Sequence, residues 1–256
     1  NDLSLQHNKF STIIVAKIGA LVSYFIPAKI ICVSSKVIDI HSRFGYFKKK
    51  MVYIPNGIDL NLFYSIPNAR ISFIKEFNLR KETKLIGCIG RFDQIKNHKI
   101  FLESVAKLCQ RDADIKIILC GKNINKSNVQ LLNLIDENNL TDIVLLLGLQ
   151  KNVPVLFSAL DMIVNASFNE SFSLVLAEAL ACRTLCVSTI GGDPERFLEP
   201  SQHIKNPKSS SEMARVIARN LDLSANVKNE LKQIGLNRII NNYSLDKLTE
   251  NYLKIY

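Results

Sequence analysis

The sequence lacks most of the short signatures that would assign a function at once. There is no G-x-G-x-x-G and no Walker loop; the nearest stretch, "GCIG" at 87–90, is too short for either. The six cysteines, Cys32, Cys88, Cys109, Cys120, Cys182 and Cys186, form no C-x-x-C pair. Cys182 and Cys186 share no spacing with further His or Cys ligands, so no metal site is expected. Most of the thiols lie inside apolar runs such as "IGCIG" and "IILCG", the setting of small buried hydrophobes in a reducing compartment. No secretory signal, internal repeat or low-complexity tract is visible. Starting at Asn1 rather than Met, the chain is expected to be a piece of a longer polypeptide.

What the chain does have is apolar residues and positive charge. Hydrophobic residues make up 47% of 256, enough for a well-buried core in one large domain or two small ones. Lys and Arg number 33 against 23 Asp and Glu, a net charge of +10. That surplus favours acidic partners: nucleic acid, an anionic lipid surface or a phosphorylated small molecule. A basic protein whose charge carries no function is the other reading. The most apolar segment, 11–33, is long enough to span a bilayer, but Lys17, Ser23, Pro27 and Lys29 interrupt it. A buried helix, a break at Pro27 and then a strand are expected there.

Continuous apolar runs predict strands at 29–34, 51–54, 84–90, 115–121, 143–148, 161–166 and 184–188. Because the runs are continuous rather than alternating, both sheet faces should be covered. Helical patterns separate them; in "NHKIFLESVAKLCQ" the residues Ile100, Phe101, Val105 and Leu108 recur at helical spacing, with Asn97 placed to cap. Alternation at this pace predicts an α/β fold, a Rossmann-like parallel sheet with helices on both faces. From Ser209 the pattern is helical to the end, with helix starts at Ser224 and Ser244. Pro55, Asn56 and Gly57 punctuate a boundary, giving a front piece at 1–56, a main unit at 57–240 and a terminal helix at 241–256.

In an open parallel sheet, ligands bind beyond the carboxyl ends of the strands, so the loops there carry the chemistry. "GRFDQIKN" (Gly90–Asn97) puts Arg91 and Lys96 at that edge, next to a helix start; both cations suit phosphate oxygens. "NESFSLVLAE" (Asn169–Glu178) sets Glu170 in a strand-to-helix turn and Glu178 in the helix, eight positions on. Ser173 is placed to cap that helix. Carboxylates are poor ligands for phosphate and good acceptors for sugar hydroxyls. "STIGGDPERF" (Ser188–Phe197) has Gly191 and Gly192, which let backbone come close to a ligand. The D-A-D triplet Asp112–Asp114 precedes a strand, at the opposite edge, and reads as a solvated turn.

Together these stretches resemble the retaining glycosyltransferases of family four, which have the two-domain GT-B fold. The resemblance runs from about Cys32 to Tyr256 and rests on Ile54–Phe63, Gly90–Asn97, Leu146–Gly148, Gly191–Glu195 and the E-x7-E pair Glu170–Glu178. The wording is most similar to bacterial enzymes of surface polysaccharide synthesis. The resemblance implies the C-terminal, donor-binding half of a GT-B fold, with 1–56 a remnant of the acceptor-side domain and 241–256 crossing back toward it. It implies that Arg91 and Lys96 hold the diphosphate, Glu178 the ribose hydroxyls and Glu170 the transferred sugar. Ser171, Phe172 and Ser173, together with Gly90 and Gly148, would line the donor. The implied partners are a nucleoside-diphosphate sugar donor and a saccharide or lipid-linked acceptor, with a peripheral contact at the inner membrane surface. No cofactor, metal or nucleic acid is implied, and the location is cytoplasmic. By itself the chain is expected not to transfer sugar. Ser171 stands where the family commonly has Gly, and Arg183 replaces the Gly that ends the helix; His7 and His41 match no acceptor-site His. A silent sugar-nucleotide-binding module, or a nucleic-acid binder using the basic cluster Tyr46–Lys50, stays open beside this reading.

Overall fold

A computed structural model describes residues 10–111 and 114–255. The front piece comprises α1 (Phe10–Val22), β1 (Ile30–Cys32), α2 (Ser35–Phe44) and β2 (Met51–Tyr53). Here β1 and β2 pair in parallel, with Ile30 opposite Met51. The main unit follows as α3 (Ala69–Glu76), β3 (Lys84–Ile89), α4 (His98–Cys109), β4 (Ile115–Cys120), α5 (Val129–Glu137), β5 (Val144–Leu146) and α6 (Val153–Ala159). It continues as β6 (Met162–Asn165), α7 (Leu174–Ala181), β7 (Leu185–Thr189), α8 (Pro194–Phe197), β8 (His203–Ile204), α9 (Ser210–Leu221), α10 (Ala225–Tyr243) and α11 (Leu245–Leu253).

The larger sheet is six-stranded, ordered β5-β4-β3-β6-β7-β8, and every neighbouring pair is parallel. Successive residues of each strand feed opposite faces. Ile86, Cys88, Ile117 and Leu119 pack against Phe101 and Leu102 of α4 and Ile217 of α9. Leu85, Ile118, Cys120 and Ile163 pack against Phe157 of α6 and Leu176 and Leu180 of α7. This two-sided burial is why the strands read as mainly apolar runs rather than alternating ones. The chain walks outward from β3 to β5, then returns to β3's other side and walks out to β8. The direction reverses between β3 and β6, which makes the gap beyond their carboxyl ends the sheet's switch point, where open α/β sheets bind ligands.

Serines set the helix starts as their types predict. Ser173, Ser209, Ser224 and Ser244 each accept an amide N–H from the first turn of the helix that follows. Asn97 does not cap α4. It takes a left-handed φ of 57°, and its side-chain amide donates instead to the carbonyls of Ala166 and Pro207. A brace between loops has replaced the expected cap. Arg183, where a glycine would relieve strain, adopts φ 59° just past α7.

The apolar front segment also departs from expectation. A helix forms, but it ends at Val22, ahead of Pro27, and only Ile13, Ala16 and Ala20 of it are buried. Phe10, Val15, Ile18 and Leu21 are mostly exposed, so the helix is not the buried one the composition suggested. No helix among the described residues is long and apolar enough to cross a membrane. The basic cluster is locally engaged: Lys50 donates to the Tyr24 carbonyl and stands over the Phe47 ring. The stretch 54–63 joins the sheets, and Ile58 bonds both ways to the α10–α11 junction, donating to the Tyr243 carbonyl and accepting from Leu245 N–H.

Candidate functional site

Three strands end at the same edge in glycines. Gly90 follows β3, Gly121 follows β4 and Gly148 closes the segment after β5. Gly90 N–H donates to the Cys120 carbonyl and Gly121 N–H to the Gly148 carbonyl, each at 2.8 Å. A side chain on Gly121 would put its Cβ 2.2 Å from the Gly90 carbonyl oxygen, so the loops can lie this close only without one. This packed backbone brings "GRFDQIKN" to the switch point.

Across the gap, the loop after β6 comes to meet it. Phe168 N–H donates to the Ile95 carbonyl, and Asn97 holds Ala166 from the other side. Between them, Lys96 Nζ lies 2.8 Å from Glu170 Oε2, each side chain about one-fifth exposed (19% and 20%). Two residues read separately from the sequence are thus an ion pair across the switch point. Arg91 points outward; its Nε donates to Asp93 at 3.0 Å, and Asp93's carboxyl is held below its usual range, first by the Ile95 N–H and also by Arg91.

The Glu170 turn is buttressed from behind. Gly192 lies so close that a Cβ there would be 1.9 Å from the Glu170 carbonyl oxygen, and Asp193 N–H donates to the Ser171 carbonyl. Phe172 turns its ring into the core, against Phe197 and Tyr243, leaving the turn's backbone and Ser171 toward the edge. Ser173 accepts from Leu176 N–H and starts α7, whose N-terminal amides and positive dipole end then face the switch point. Glu178 lies one turn into α7, half-buried, near Cys182. Burial lifts its carboxyl above the usual range, and its charge helps burial push the Cys182 thiol up to about 12. The site therefore pairs cations and helix amides with carboxylates, a set that can hold a polyhydroxylated, phosphorylated molecule.

At the opposite edge, Asp114 pairs with Arg80 and accepts from the Thr83 hydroxyl. Asp112, Ala113 and His7 lie outside the described residues. No cluster of three potential metal ligands occurs among the described residues. The motif reading missed Lys36, Asn169, Asp193 and Tyr53, all of which touch the Glu170 turn or the loop behind it. Asn169 and Asp193 lie inside quoted motifs, and could have been flagged there. Lys36 and Tyr53 carry no local signal.

Residues 70–238 match the family "Glycosyl transferases group 1". N-acetyl-alpha-D-glucosaminyl L-malate synthase of Bacillus anthracis is 30% identical over 148 residues, 57% of this chain and 38% of that protein. A Campylobacter jejuni enzyme, N-acetylgalactosamine-N,N'-diacetylbacillosaminyl-diphospho-undecaprenol 4-alpha-N-acetylgalactosaminyltransferase, is 33% identical over 151 residues, 59% of this chain and 38% of that one. The chain thus spans well under half the length of these curated relatives. The crystal structure of Anabaena HepE in complex with UDP and glucose superposes with a TM-score of 0.87 at 20% identity, covering 100% of this chain and 69% of that one. That likeness gives the fold, the GT-B arrangement of a parallel sheet flanked by helices. With the family's match covering the whole switch-point site, from Gly90 through Glu178 and the Gly191–Gly192 loop, the chain belongs to the group 1 glycosyl transferases.

Proposed function

We propose that this chain holds a nucleoside-diphosphate sugar at the switch point, as part of a retaining transferase. Its acceptor would be a saccharide or lipid-linked saccharide in polysaccharide synthesis, at the cytoplasmic membrane face. The observation that carries this is the Lys96–Glu170 pair between the β3 loop and the α7 N-terminus: a cation for the diphosphate beside a carboxylate for the sugar. As the glycosidic bond breaks, negative charge gathers on the leaving diphosphate, where Lys96, Arg91 and the α7 amides stabilise it. The HepE complex with UDP and glucose, and the diphospho-undecaprenol in the Campylobacter relative's name, support the donor and acceptor classes. On this reading, residues 1–56 belong to the acceptor-side unit, 57–240 hold the donor, and 241–256 turn back toward the front. The 256 residues alone would bind donor and not transfer its sugar, since positioning the acceptor needs the cleft's second wall.

Two measurements test the site. Lys96→Ala should weaken nucleoside diphosphate binding by about 1.5–3 kcal/mol, the worth of a hydrogen bond to a charged group, and leave nucleoside binding nearly unchanged. Arg91→Ala should do less, because that guanidinium is 60% exposed and already held by Asp93. Equal losses for nucleoside and diphosphate in calorimetry would refute the assignment.

The second is a pH dependence. Glu178 accepts ribose hydroxyls most strongly when ionised, and its carboxyl titrates above the usual range because it is buried. Binding should therefore fade as pH falls through that raised value. Glu178→Gln should remove this acid limb while costing roughly tenfold in affinity at neutral pH. The phosphate titrates in both proteins, so the comparison isolates Glu178. Superimposable pH profiles would show that Glu178 does not hold the nucleotide.

A further inference from the structure

The front piece meets the loops around Glu170 most directly through Lys36. Lys36, in the first turn of α2, donates from Nζ to Asn169 Oδ1 at 2.7 Å and to the Gly191 carbonyl at 2.6 Å. These two acceptors flank Glu170. Asn169 is its chain neighbour, and Gly191 precedes Gly192, which lies against the Glu170 carbonyl. The same loop is gripped twice more from the front. The Tyr53 hydroxyl donates to Asp193 Oδ2 at 3.0 Å, and Arg196 reaches back, with Nη2 3.2 Å from Ser35 Oγ and its guanidinium 5.5 Å from the centre of the Tyr53 ring. Asp193 is fully buried and joins both sides, since its N–H also donates to the Ser171 carbonyl.

An ammonium between two neutral acceptors is a charge-assisted clamp, stronger than either neutral bond would be. Among the described residues, none of those assigned to the nucleotide bonds to Lys36. Lys96 pairs with Glu170 and Arg91 with Asp93, while Glu178 lies a turn into α7. What Lys36 ties is the turn assigned to the sugar.

We propose that Lys36 is a positioning residue for the transferred sugar. By tying Asn169 to Gly191 it fixes the Glu170 turn, and it makes sugar recognition depend on the piece that carries α2. The inference rests on the donor reading above and deepens it. Separation or rotation of the front piece would release the clamp and leave the nucleotide's own contacts in place, so sugar and nucleotide affinities should come apart.

The test uses the natural full-length protein with Lys36→Met, which keeps the aliphatic stem, and Lys36→Arg, which keeps a cation. UDP affinity is measured by calorimetry, with GDP and ADP tried in turn where UDP does not bind. The kcat and KM for the matching sugar nucleotide are measured beside it. Lys36→Met should not weaken nucleotide affinity by more than about twofold, since any loosening of Glu170 from Lys96 would tighten it, and should lower kcat/KM roughly tenfold to a hundredfold, the scale of a misplaced reacting group. Lys36→Arg should recover part of that loss. Unchanged kcat/KM in Lys36→Met would overturn the proposal, and so would nucleotide affinity and kcat/KM falling by one common factor. If Lys36→Met does not fold, Tyr53→Phe carries the same test through the second grip: kcat/KM lowered at constant nucleotide affinity supports the clamp, and wild-type kinetics overturn it. A wild-type protein that binds no nucleoside diphosphate would instead sink the donor reading, and this inference with it.

Discussion

Glu170→Gln is expected to lower sugar transfer by about 10²-fold or more while tightening nucleoside diphosphate binding. In the structure Glu170 occupies Lys96, at 2.8 Å and mostly out of solvent. A diphosphate arriving at the β3 loop must compete with that carboxylate for the same ammonium. Two like charges around one cation also repel each other, and the penalty grows as water leaves the cleft. Glutamine keeps the side chain's shape and an acceptor oxygen but removes the charge. Lys96 is then released to the phosphate, and we expect roughly tenfold tighter binding, about 1.4 kcal/mol. The free protein should lose about 1–2 kcal/mol of stability, less than the 3–5 kcal/mol seen when a fully buried pair is broken, because a fifth of each side chain is exposed. Transfer suffers because the carboxylate's contact with the sugar strengthens as positive charge develops on it, and loss of one such aimed group costs on this scale. Calorimetry with UDP, thermal melting and a transfer assay on the full-length protein separate the three effects. Weaker UDP binding in Glu170→Gln would show that Glu170 helps hold the nucleotide rather than competing with it.

The parts that sequence made legible are those decided locally. The runs at β3 and β4 announce themselves because both of their faces are covered, so past Lys84 and Lys116 no polar residue interrupts them. Ser173 is readable as a cap because its oxygen serves an amide three residues away. By contrast β8 is two residues long, too short for any period to show. Asn97 looked like a cap because capping is what asparagine does next to a helix, but tertiary contacts to Ala166 and Pro207 outbid that local bond. The apolar helix α1 was expected to be buried, since composition gives a helix its hydrophobicity and not its neighbours. In the site, Lys96 and Glu170 were each placed at the ligand edge from their loops. Their pairing spans 74 positions and became visible only once strand order put β3 beside β6. Lys36 was invisible for the same reason: its acceptors lie 133 and 155 positions away, and nothing in "VSSKVID" points to them.

Phe197→Ala is expected to cost about 3–5 kcal/mol of folding stability and to loosen the sugar turn as well. Phe197 is fully buried and meets Phe172 and Tyr243 nearly edge-on, with ring centroids at 5.2 and 4.8 Å. Phe172 and Tyr243 close the triangle at 5.8 Å. Each ring comes from a different part of the chain: Phe172 from the turn two residues past Glu170, Phe197 from the end of α8, and Tyr243 from the end of α10. Truncation removes both edge-to-face contacts and leaves a hole that two rings on separate elements cannot close without dragging their backbones. For a protein of this size the loss should appear as a fall in Tm of roughly 6–20 °C. Phe197→Leu, which refills most of the volume, should lose about 1.5 kcal/mol or less. The functional consequence follows from where Phe172 is anchored. Its ring is the turn's only large apolar root in this cluster, and without Phe197 the backbone from Glu170 to Ser173 has less to hold it. Below the new melting temperature, sugar nucleotide affinity should therefore fall more than that of the bare nucleoside diphosphate. A stability loss under about 1 kcal/mol would mean that the cavity collapses freely and that the triangle does not anchor the turn. Equal losses of affinity for both ligands would place the damage in the nucleotide's contacts instead.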